Sequence, residues 1–144
     1  MARVTDPEES QARPAPASKN GKKIFIAEDD PFISRMYNTK LSSAGYEVST
    51  ASNGRDAFEK IKVIRPHLVM IDLNMPELSG FEVLTALKGS GFDFKATKVV
   101  ILTNSAQPGD QQKAQALGFD YLIKADLTPR NVLDYINSKL GVKQ

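Results

Sequence analysis

Hydrophobic and polar residues follow a regular order along the chain from Lys23 onward. Short, largely apolar runs are separated by longer segments in which apolar residues recur every three or four positions. The first pattern is typical of β-strands and the second of amphipathic helices. We therefore predict five strands, at Ile24–Ala27, Val48–Ala51, Leu68–Ile71, Val99–Leu102 and Tyr121–Ile123.

The run Leu68–Ile71 has no polar face, which is typical of a strand in a parallel sheet that helices cover on both sides. Asp72 follows it directly, where the strand is expected to end. A carboxylate at the edge of a buried strand is costly to desolvate unless something there uses it. Ligands of open α/β sheets bind at this carboxyl edge, so Asp72 is the first candidate functional residue.

Capping signals mark the helices between these strands. They are the pairs Asp30-Pro31 and Thr128-Pro129, each an N-cap followed by proline at N1, and the capping-box spacing of Ser79 and Glu82. We expect the inner face of the first helix to comprise Ile33, Met36, Tyr37, Leu41 and Ala44. Residues 89–98 are predicted to form a loop.

Strict alternation of strands and helices predicts an α/β fold with a central parallel sheet. Right-handed crossovers make the strand order 2-1-3-4-5 the economical one. We therefore expect a flavodoxin-like, doubly wound, five-stranded parallel sheet with helices on both faces.

Composition limits the number of domains and the possible classes of protein. The chain has 144 residues and a formal net charge of +2. It has no cysteine, and this absence excludes disulfide scaffolds and thiolate chemistry. Residues 1–21 contain three prolines and few large apolar side chains, so we predict a flexible N-terminal tail followed by one domain over residues 22–144. No apolar run is long enough to span a membrane and no basic stripe favours nucleic acid, so a cytoplasmic protein is expected.

Every strand of a parallel sheet has its carboxyl end at the same edge. That edge should gather Glu28 and Asp29 after the first strand, Asp72 after the third, Thr103 after the fourth and Lys124 after the fifth. Three crowded carboxylates resist ionising together without a cation. Oxygen ligands of this kind suit Mg²⁺.

This set of side chains favours phosphoryl transfer. Asp72 would act as the nucleophile and form an aspartyl phosphate. Asp29 would bind the metal directly, and Glu28 would bind it directly or through water. Thr103 and Lys124 would contact the remaining phosphoryl oxygens through a hydroxyl bond and a charge-assisted bond.

Taken together, these motifs resemble the receiver domain of bacterial two-component response regulators, over about residues 22–140. The matching residues are the acidic pair Glu28-Asp29, Asp72 with its Asn-Met-Pro sequel, Thr103 and Lys124. The resemblance implies a stand-alone, CheY-like signalling switch without an effector domain. Such a switch is not a metabolic enzyme, because it catalyses only its own phosphorylation and dephosphorylation.

The resemblance also implies partners and further site residues. A sensor histidine kinase or a phosphotransfer protein would donate the phosphoryl group, and the backbone carbonyl of Asn74 would bind the metal. Thr103 and Tyr121 would shift together on phosphorylation and reshape the surface of the fourth helix, fifth strand and fifth helix. A homodimer, if one forms, would use that same surface, and the downstream target is not specified. Tyr121 fits a half-buried packing role nearly as well.

Two residues depart from the family pattern. Ala125 follows Lys124 where the family usually has proline, often after a cis bond, and a cis bond before alanine would cost about 3–4 kcal/mol. We therefore predict a trans peptide and a different path into the last helix. Asn104 follows Thr103 where a small residue is usual. We hypothesise that its amide crowds the phosphate and changes the lifetime of the phosphorylated form.

Three other functions compete with this interpretation. A phosphorylation-independent interaction module with the receiver fold is the main alternative. An aspartate-nucleophile phosphatase would need a second acid two residues after Asp72, where the chain has Asn74. A flavin-binding flavodoxin would need a phosphate-binding loop after the first strand. His67, the only histidine, is interpreted as a loop residue.

Overall fold

The computed structural model describes residues 20–104 and 107–143. Within these ranges, five strands alternate with five α-helices: β1 (Lys23–Ala27), α1 (Pro31–Ser43), β2 (Glu47–Ala51), α2 (Gly54–Ile64), β3 (Leu68–Asp72), α3 (Gly80–Gly89), β4 (Lys98–Thr103), α4 (Pro108–Ala116), β5 (Asp120–Ile123) and α5 (Pro129–Leu140). Short 3₁₀ helices precede β4 at Phe94–Ala96 and α5 at Lys124–Asp126.

The strands form one parallel sheet in the order β2-β1-β3-β4-β5. This confirms the predicted doubly wound, flavodoxin-like topology. The second, third and fourth strands across the sheet are β1, β3 and β4, so their carboxyl ends are consecutive along one edge.

Alternate residues of the central strands face opposite sides of the sheet, as the two-residue period of a strand requires. Phe25, Val69 and Ile101 pack with α2, α3 and α4 on one face. Ile24, Met70 and Leu102 pack with α1 and α5 on the other. The central strands are therefore buried on both sides, which explains their continuous apolar sequences.

The predicted helix caps are confirmed. Asp30 accepts hydrogen bonds from the backbone N–H groups of Phe32 and Ile33, at 2.9 and 3.3 Å. Thr128 caps α5 through the N–H of Asn131. Ser79 and Glu82 form the reciprocal capping box at the start of α3.

Two expectations about local structure were wrong. Met36 of α1 was expected on the inner face but is 43% exposed. The residues that α1 buries are Tyr37 and Leu41. Residues 89–98 are only partly a loop. Gly89 is the last residue of α3, Lys98 is the first of β4, and the Asp93 carboxylate caps a 3₁₀ turn by accepting from the N–H of Lys95.

Most of the predicted N-terminal tail, residues 1–19, lies outside the described residues. Asn20 and Gly21 are described, and the Asn20 side chain accepts a hydrogen bond from the N–H of Lys22 at 2.9 Å. No helix in the described ranges is both long and apolar enough to cross a membrane.

Candidate functional site

The end of β1 holds the first acid of the site in a buried position. The backbone N–H of Glu28 donates to the carbonyl of Ala51 at 3.0 Å, which continues the pairing of β1 with β2 by one residue. This contact holds Glu28 at the sheet edge, where the residue is 1% exposed. Its Oε2 accepts a hydrogen bond from the N–H of Asp30 at 3.1 Å. Asp29, the next residue, is exposed.

Asp72 is the last residue of β3 and is also 1% exposed. Its Oδ1 accepts a hydrogen bond from the backbone N–H of Asn74 at 3.0 Å. The loop that follows folds back tightly, since the N–H of Gly80 donates to the carbonyl of Leu73 at 3.1 Å. The carboxylate of Asp72 is therefore oriented by its own loop.

Lys124 reaches across the sheet edge to both buried acids. Its Nζ lies 2.8 Å from Oε1 of Glu28 and 2.9 Å from Oδ2 of Asp72. Lys124 begins the 3₁₀ turn after β5. The described residues have no cis peptide bond, so the bond before Ala125 is trans, as predicted.

Glu28, Asp29 and Asp72 form one cluster. Each offers a carboxylate oxygen, and these oxygens all lie within 4.8 Å of one another. Burial, together with the charge of Asp72, raises the pKa of Glu28 from 4.5 to about 7, although Lys124 and the N–H of Asp30 act in the opposite direction. Burial alone would lower the pKa of Lys124, but its contacts with Glu28 and Asp72 outweigh burial and raise it.

The cluster has the composition of a divalent metal site. Three carboxylates converge with one ammonium group, so the fully ionised set carries an excess of negative charge. Oε1 of Glu28 is buried and lies 2.8 Å from the ammonium of Lys124. A hard divalent cation would balance the remaining negative charge of the cluster.

The remaining predicted residues occupy the same edge or its neighbourhood. Thr103 is the last residue of β4 and is 3% exposed. Tyr121, in β5, is half-buried on the face of the sheet that α2, α3 and α4 cover. Its hydroxyl accepts a 3.4 Å hydrogen bond from the N–H of Gln107, the N-cap of α4. The side chains of Asn74 and Asn104 are exposed.

His67 lies away from this edge, as expected. It precedes β3 at the opposite end of the sheet, and its Nδ1 accepts a hydrogen bond from the backbone N–H of Lys23 at 3.0 Å. It joins the starts of β1 and β3, at the edge of the sheet opposite the acidic cluster.

Sequence reasoning missed the glycines that position the Asp72 loop. A Cβ added at Gly80 would lie 2.7 Å from the carbonyl oxygen of Asp72, and one at Gly54 would lie 2.3 Å from that of Leu78. Glu77 in the same loop has a φ of 75°, a left-handed conformation that is unusual for glutamate. The residues next to such a glycine in the sequence do not reveal this close contact, because the backbone it contacts belongs to a different segment of the chain.

Comparison with known proteins identifies the family. The family model described as the response regulator receiver domain matches residues 24–137, which is most of the chain. The chain belongs to this family. Receiver domains are signalling switches that interact with histidine kinases or phosphotransfer proteins, and this chain is a receiver domain of a two-component system.

Curated relatives include both short and long proteins. The chemotaxis protein CheY of Thermotoga maritima is 30% identical, over 81% of this chain and 96% of that protein. The polar-differentiation response regulator DivK of Brucella anthropi is 28% identical, over 83% of this chain and 97% of its own length. The chain spans about half the length of other relatives, such as the regulatory protein PhoP of Bacillus subtilis, which is 31% identical over 77% of this chain and 45% of that protein.

Solved structures agree with the family assignment. CheY4 of Vibrio cholerae superposes with a TM-score of 0.72 and 30% identity, and covers 81% of this chain and 97% of that one. A CheY-like receiver domain from Methanospirillum hungatei superposes with a TM-score of 0.74 and 29% identity, over 83% and 94%.

Proposed function

We propose that this receiver domain accepts a phosphoryl group on Asp72 in a reaction that depends on Mg²⁺. The observation that carries the proposal is the position of Lys124, whose ammonium lies 2.9 Å from the Asp72 carboxylate inside a cluster of three acids. A buried carboxylate held by one ammonium and one backbone N–H has a fixed orientation, which favours attack on an incoming phosphorus atom.

The reaction would join an Asp72 carboxylate oxygen to phosphorus while the bond between phosphorus and the donor's leaving group breaks. Lys124 would hold a phosphoryl oxygen through a charge-assisted hydrogen bond, and the Thr103 hydroxyl would donate to another. Water would later attack the aspartyl phosphate, release inorganic phosphate and restore the carboxylate.

The carboxylates of Asp29, Asp72 and Glu28, with the backbone carbonyl of Asn74, would hold the Mg²⁺ ion. A bound Mg²⁺ ion neutralises negative charge that the phosphoryl group brings to the site. This chain's own contribution is to gather the acids at one edge and keep them there, since the backbones of Glu28 and Asp72 are tied to neighbouring strands.

The proposed donor is a sensor histidine kinase or a phosphotransfer protein, in keeping with the family. The output surface would comprise α4, β5 and α5, and any homodimer would use it. The contact between the Tyr121 hydroxyl and the N-cap of α4 supports the choice of this surface, because Tyr121 would follow a movement of that helix. Residues 22–144 would constitute the receiver domain, with residues 1–21 as a tail, and the site of action would be the cytoplasm.

The experiment is phosphorylation of the purified chain by a small phosphodonor with Mg²⁺, followed by intact-protein mass measurement. We expect a mass gain of one phosphoryl group on the wild type, and none on Asp72→Asn or after chelation of the metal. Asp56→Asn is a matched control, because Asp56 is an acid in α2 that pairs with Lys60 and not with the site.

The alternative, a phosphorylation-independent interaction module, makes the opposite prediction. An unmodified wild-type chain under saturating donor and Mg²⁺ would favour that module and overturn the proposal. An adduct that persists in Asp72→Asn would instead mean that another residue accepts the phosphoryl group.

A further inference from the structure

The helix α4 is held to the rest of the domain by few buried side chains. Among its nine residues, all of which the structure describes, Ala114 alone is buried. Its N-cap, Gln107, makes no side-chain hydrogen bond to the first turn, so the helix also lacks the stabilisation that a capping side chain gives. A short helix with so little buried surface opens at a low cost in free energy. Its remaining contacts therefore decide how often it leaves the sheet.

Lys113 supplies a contact between α4 and α3. Its ammonium nitrogen lies 4.5 Å from the centroid of the Phe81 ring, a distance at which the negative face of an aromatic ring attracts a cation. Lys113 is exposed and forms no ion pair with any residue that the structure describes. Phe81 is 7% exposed and belongs to the core between the sheet and α2, α3 and α4. The contact therefore joins an exposed side chain of α4 to a ring that the core holds in place.

Phe81 also belongs to the segment that positions Asp72. It directly follows Gly80, the first residue of α3, whose N–H donates to the carbonyl of Leu73 at 3.1 Å. Gly80 approaches the Asp72 backbone so closely that an added Cβ would lie 2.7 Å from the Asp72 carbonyl oxygen. A shift of the loop after Asp72 therefore moves the start of α3, and the Phe81 ring moves with it.

This contact is separate from the one that Tyr121 makes with the same helix. The Tyr121 hydroxyl accepts a hydrogen bond from the N–H of Gln107 at 3.4 Å, which is long for a hydrogen bond to a backbone N–H. Lys113 lies in the last turn of α4, and its side chain leads to α3 and not to β5. The two ends of α4 therefore depend on different neighbouring elements.

We propose that Lys113 is a positioning residue that couples the packing of α4 on the domain to the state of Asp72 through the Phe81 ring. When Asp72 gains a phosphoryl group, its loop and the start of α3 shift, the contact between Lys113 and Phe81 changes, and the fraction of molecules with α4 packed in place changes with it. Such coupling is reciprocal, so a partner that binds packed α4 shifts the phosphorylation equilibrium in turn. This inference rests on the proposed phosphorylation of Asp72 and names a residue that transmits it.

Hydrogen exchange of the whole, unphosphorylated chain tests the contact first. Lys113→Met removes the charge but keeps a long, unbranched side chain of nearly the same helix propensity. We expect the protection factors of the α4 amides, at residues 111–116, to fall by about two- to fivefold, which corresponds to the loss of an exposed cation–π contact. Lys113→Arg keeps a cation over the ring and should retain the protection.

Two controls separate this contact from a general loosening of the helix. Gln112→Met places the same side chain at the neighbouring exposed position of α4 and should leave the protection unchanged. In a Phe81→Leu background, Lys113→Met should have no further effect, because the ring that attracts the cation is gone. The amides of β3 report whether Phe81→Leu changes the stability of the whole domain. An equal loss of protection from Lys113→Met in both backgrounds would overturn the proposal.

The coupling to Asp72 is measured by repeating the exchange while a small phosphodonor and Mg²⁺ keep the chain phosphorylated, with intact-protein mass as the measure of phosphorylation. Phosphorylation should change the protection of α4 in the wild type, and Lys113→Met should bring the ratio of the two protection factors closer to one. A side chain that only stabilises α4 would lower protection by the same factor in both forms and leave the ratio unchanged. Asp72→Asn controls for effects of the donor and Mg²⁺ themselves.

The results distinguish failure of this inference from failure of the proposed function. A wild type that gains no phosphoryl mass would overturn both. A wild type that gains the mass, with the same ratio of protection factors as Lys113→Met, would overturn the coupling and leave the phosphorylation of Asp72 standing. Unchanged protection of α4 in unphosphorylated Lys113→Met would show that the contact with Phe81 does not hold the helix, whether or not Asp72 accepts a phosphoryl group.

Discussion

Nζ of Lys124 lies 2.9 Å from Oδ2 of Asp72, although the two residues are 52 positions apart in the chain. The same ammonium group lies 2.8 Å from Oε1 of Glu28. One cation thus compensates two buried acids from different strands. We expect the stability of the domain, and the proposed phosphorylation of Asp72, to depend on this arrangement.

Removal of the lysine should destabilise the domain through Asp72 and Glu28. In metal-free buffer, Lys124→Ala leaves two buried carboxylates without their cation, and loss of one partner of a buried ion pair costs about 3–5 kcal/mol. Asp72→Asn removes one of the two acids, so Lys124→Ala should cost less in that background, by about 0.5–3 kcal/mol. Urea unfolding of the four proteins in this cycle measures the coupling.

The control for this cycle is Lys60→Ala. Lys60 forms an exposed pair with Asp56 one helical turn away, so its removal should change the free energy of unfolding by less than about 0.5 kcal/mol. Equal losses from the two lysine substitutions would contradict the assignment of a buried ion pair to Lys124.

Glu28 should make the stability of the metal-free protein fall as the pH rises. Its pKa is raised from 4.5 to about 7, so between these values the folded protein binds more protons than the unfolded chain. The free energy of unfolding therefore decreases with pH in that interval. Glu28→Gln should flatten this part of the stability profile, and Mg²⁺ should reduce the slope because it favours the ionised carboxylate. An identical slope in wild type and Glu28→Gln would contradict the prediction.

Gly80 should be required for the position of the Asp72 loop. A Cβ there would lie 2.7 Å from the carbonyl oxygen of Asp72, so Gly80→Ala forces a backbone shift and should both destabilise the fold and slow phosphorylation. Gly109→Ala is the matched control in α4, because a Cβ at Gly109 has no neighbour within 4 Å. That substitution should stabilise the domain by about 0.5–1 kcal/mol. Thermal unfolding and adduct formation measure the two effects.

Glu77 should be replaceable by glycine with a gain in stability. Its φ of 75° is a left-handed conformation that costs roughly 1–2 kcal/mol for a residue with a Cβ, whereas its pair with Arg55 is exposed and contributes little. Glu77→Gly should therefore raise the midpoint of thermal unfolding, and Glu77→Ala, which keeps the strain, should not. Equal midpoints for the two variants would show that the conformation carries no cost.

Asn104 should influence the lifetime of the phosphorylated form. It is exposed directly after the buried Thr103, so its amide can control the approach of water to a phosphoryl group on Asp72. Asn104→Ala should change the rate of dephosphorylation, measured as the decay of the phosphorylated mass after the donor is removed. An unchanged rate would exclude this role, and the rate of phosphorylation serves as the internal control.

The sequence by itself determined most of the secondary structure and which acidic residues lie at the carboxyl edge of the sheet. Strand and helix periods are local properties, and caps such as Asp30 and Ser79 act on backbone groups within three residues of themselves. The strict alternation of elements then left one economical sheet order, and parallel strands must present their carboxyl ends together. The convergence of Glu28, Asp72 and Lys124 on one edge was therefore predictable.

Tertiary structure alone decided the distances and the exposed surfaces. Lys124, the first residue of the 3₁₀ turn after β5, pairs with two acids from other strands. Glycine is required at position 80 because a Cβ there would meet the backbone of Asp72 in β3. Helical spacing placed Met36 on the same face as Tyr37, but the width of a buried stripe depends on what packs over it. Tyr37 is buried in the cluster that α1 forms with α5, whereas Met36 remains exposed.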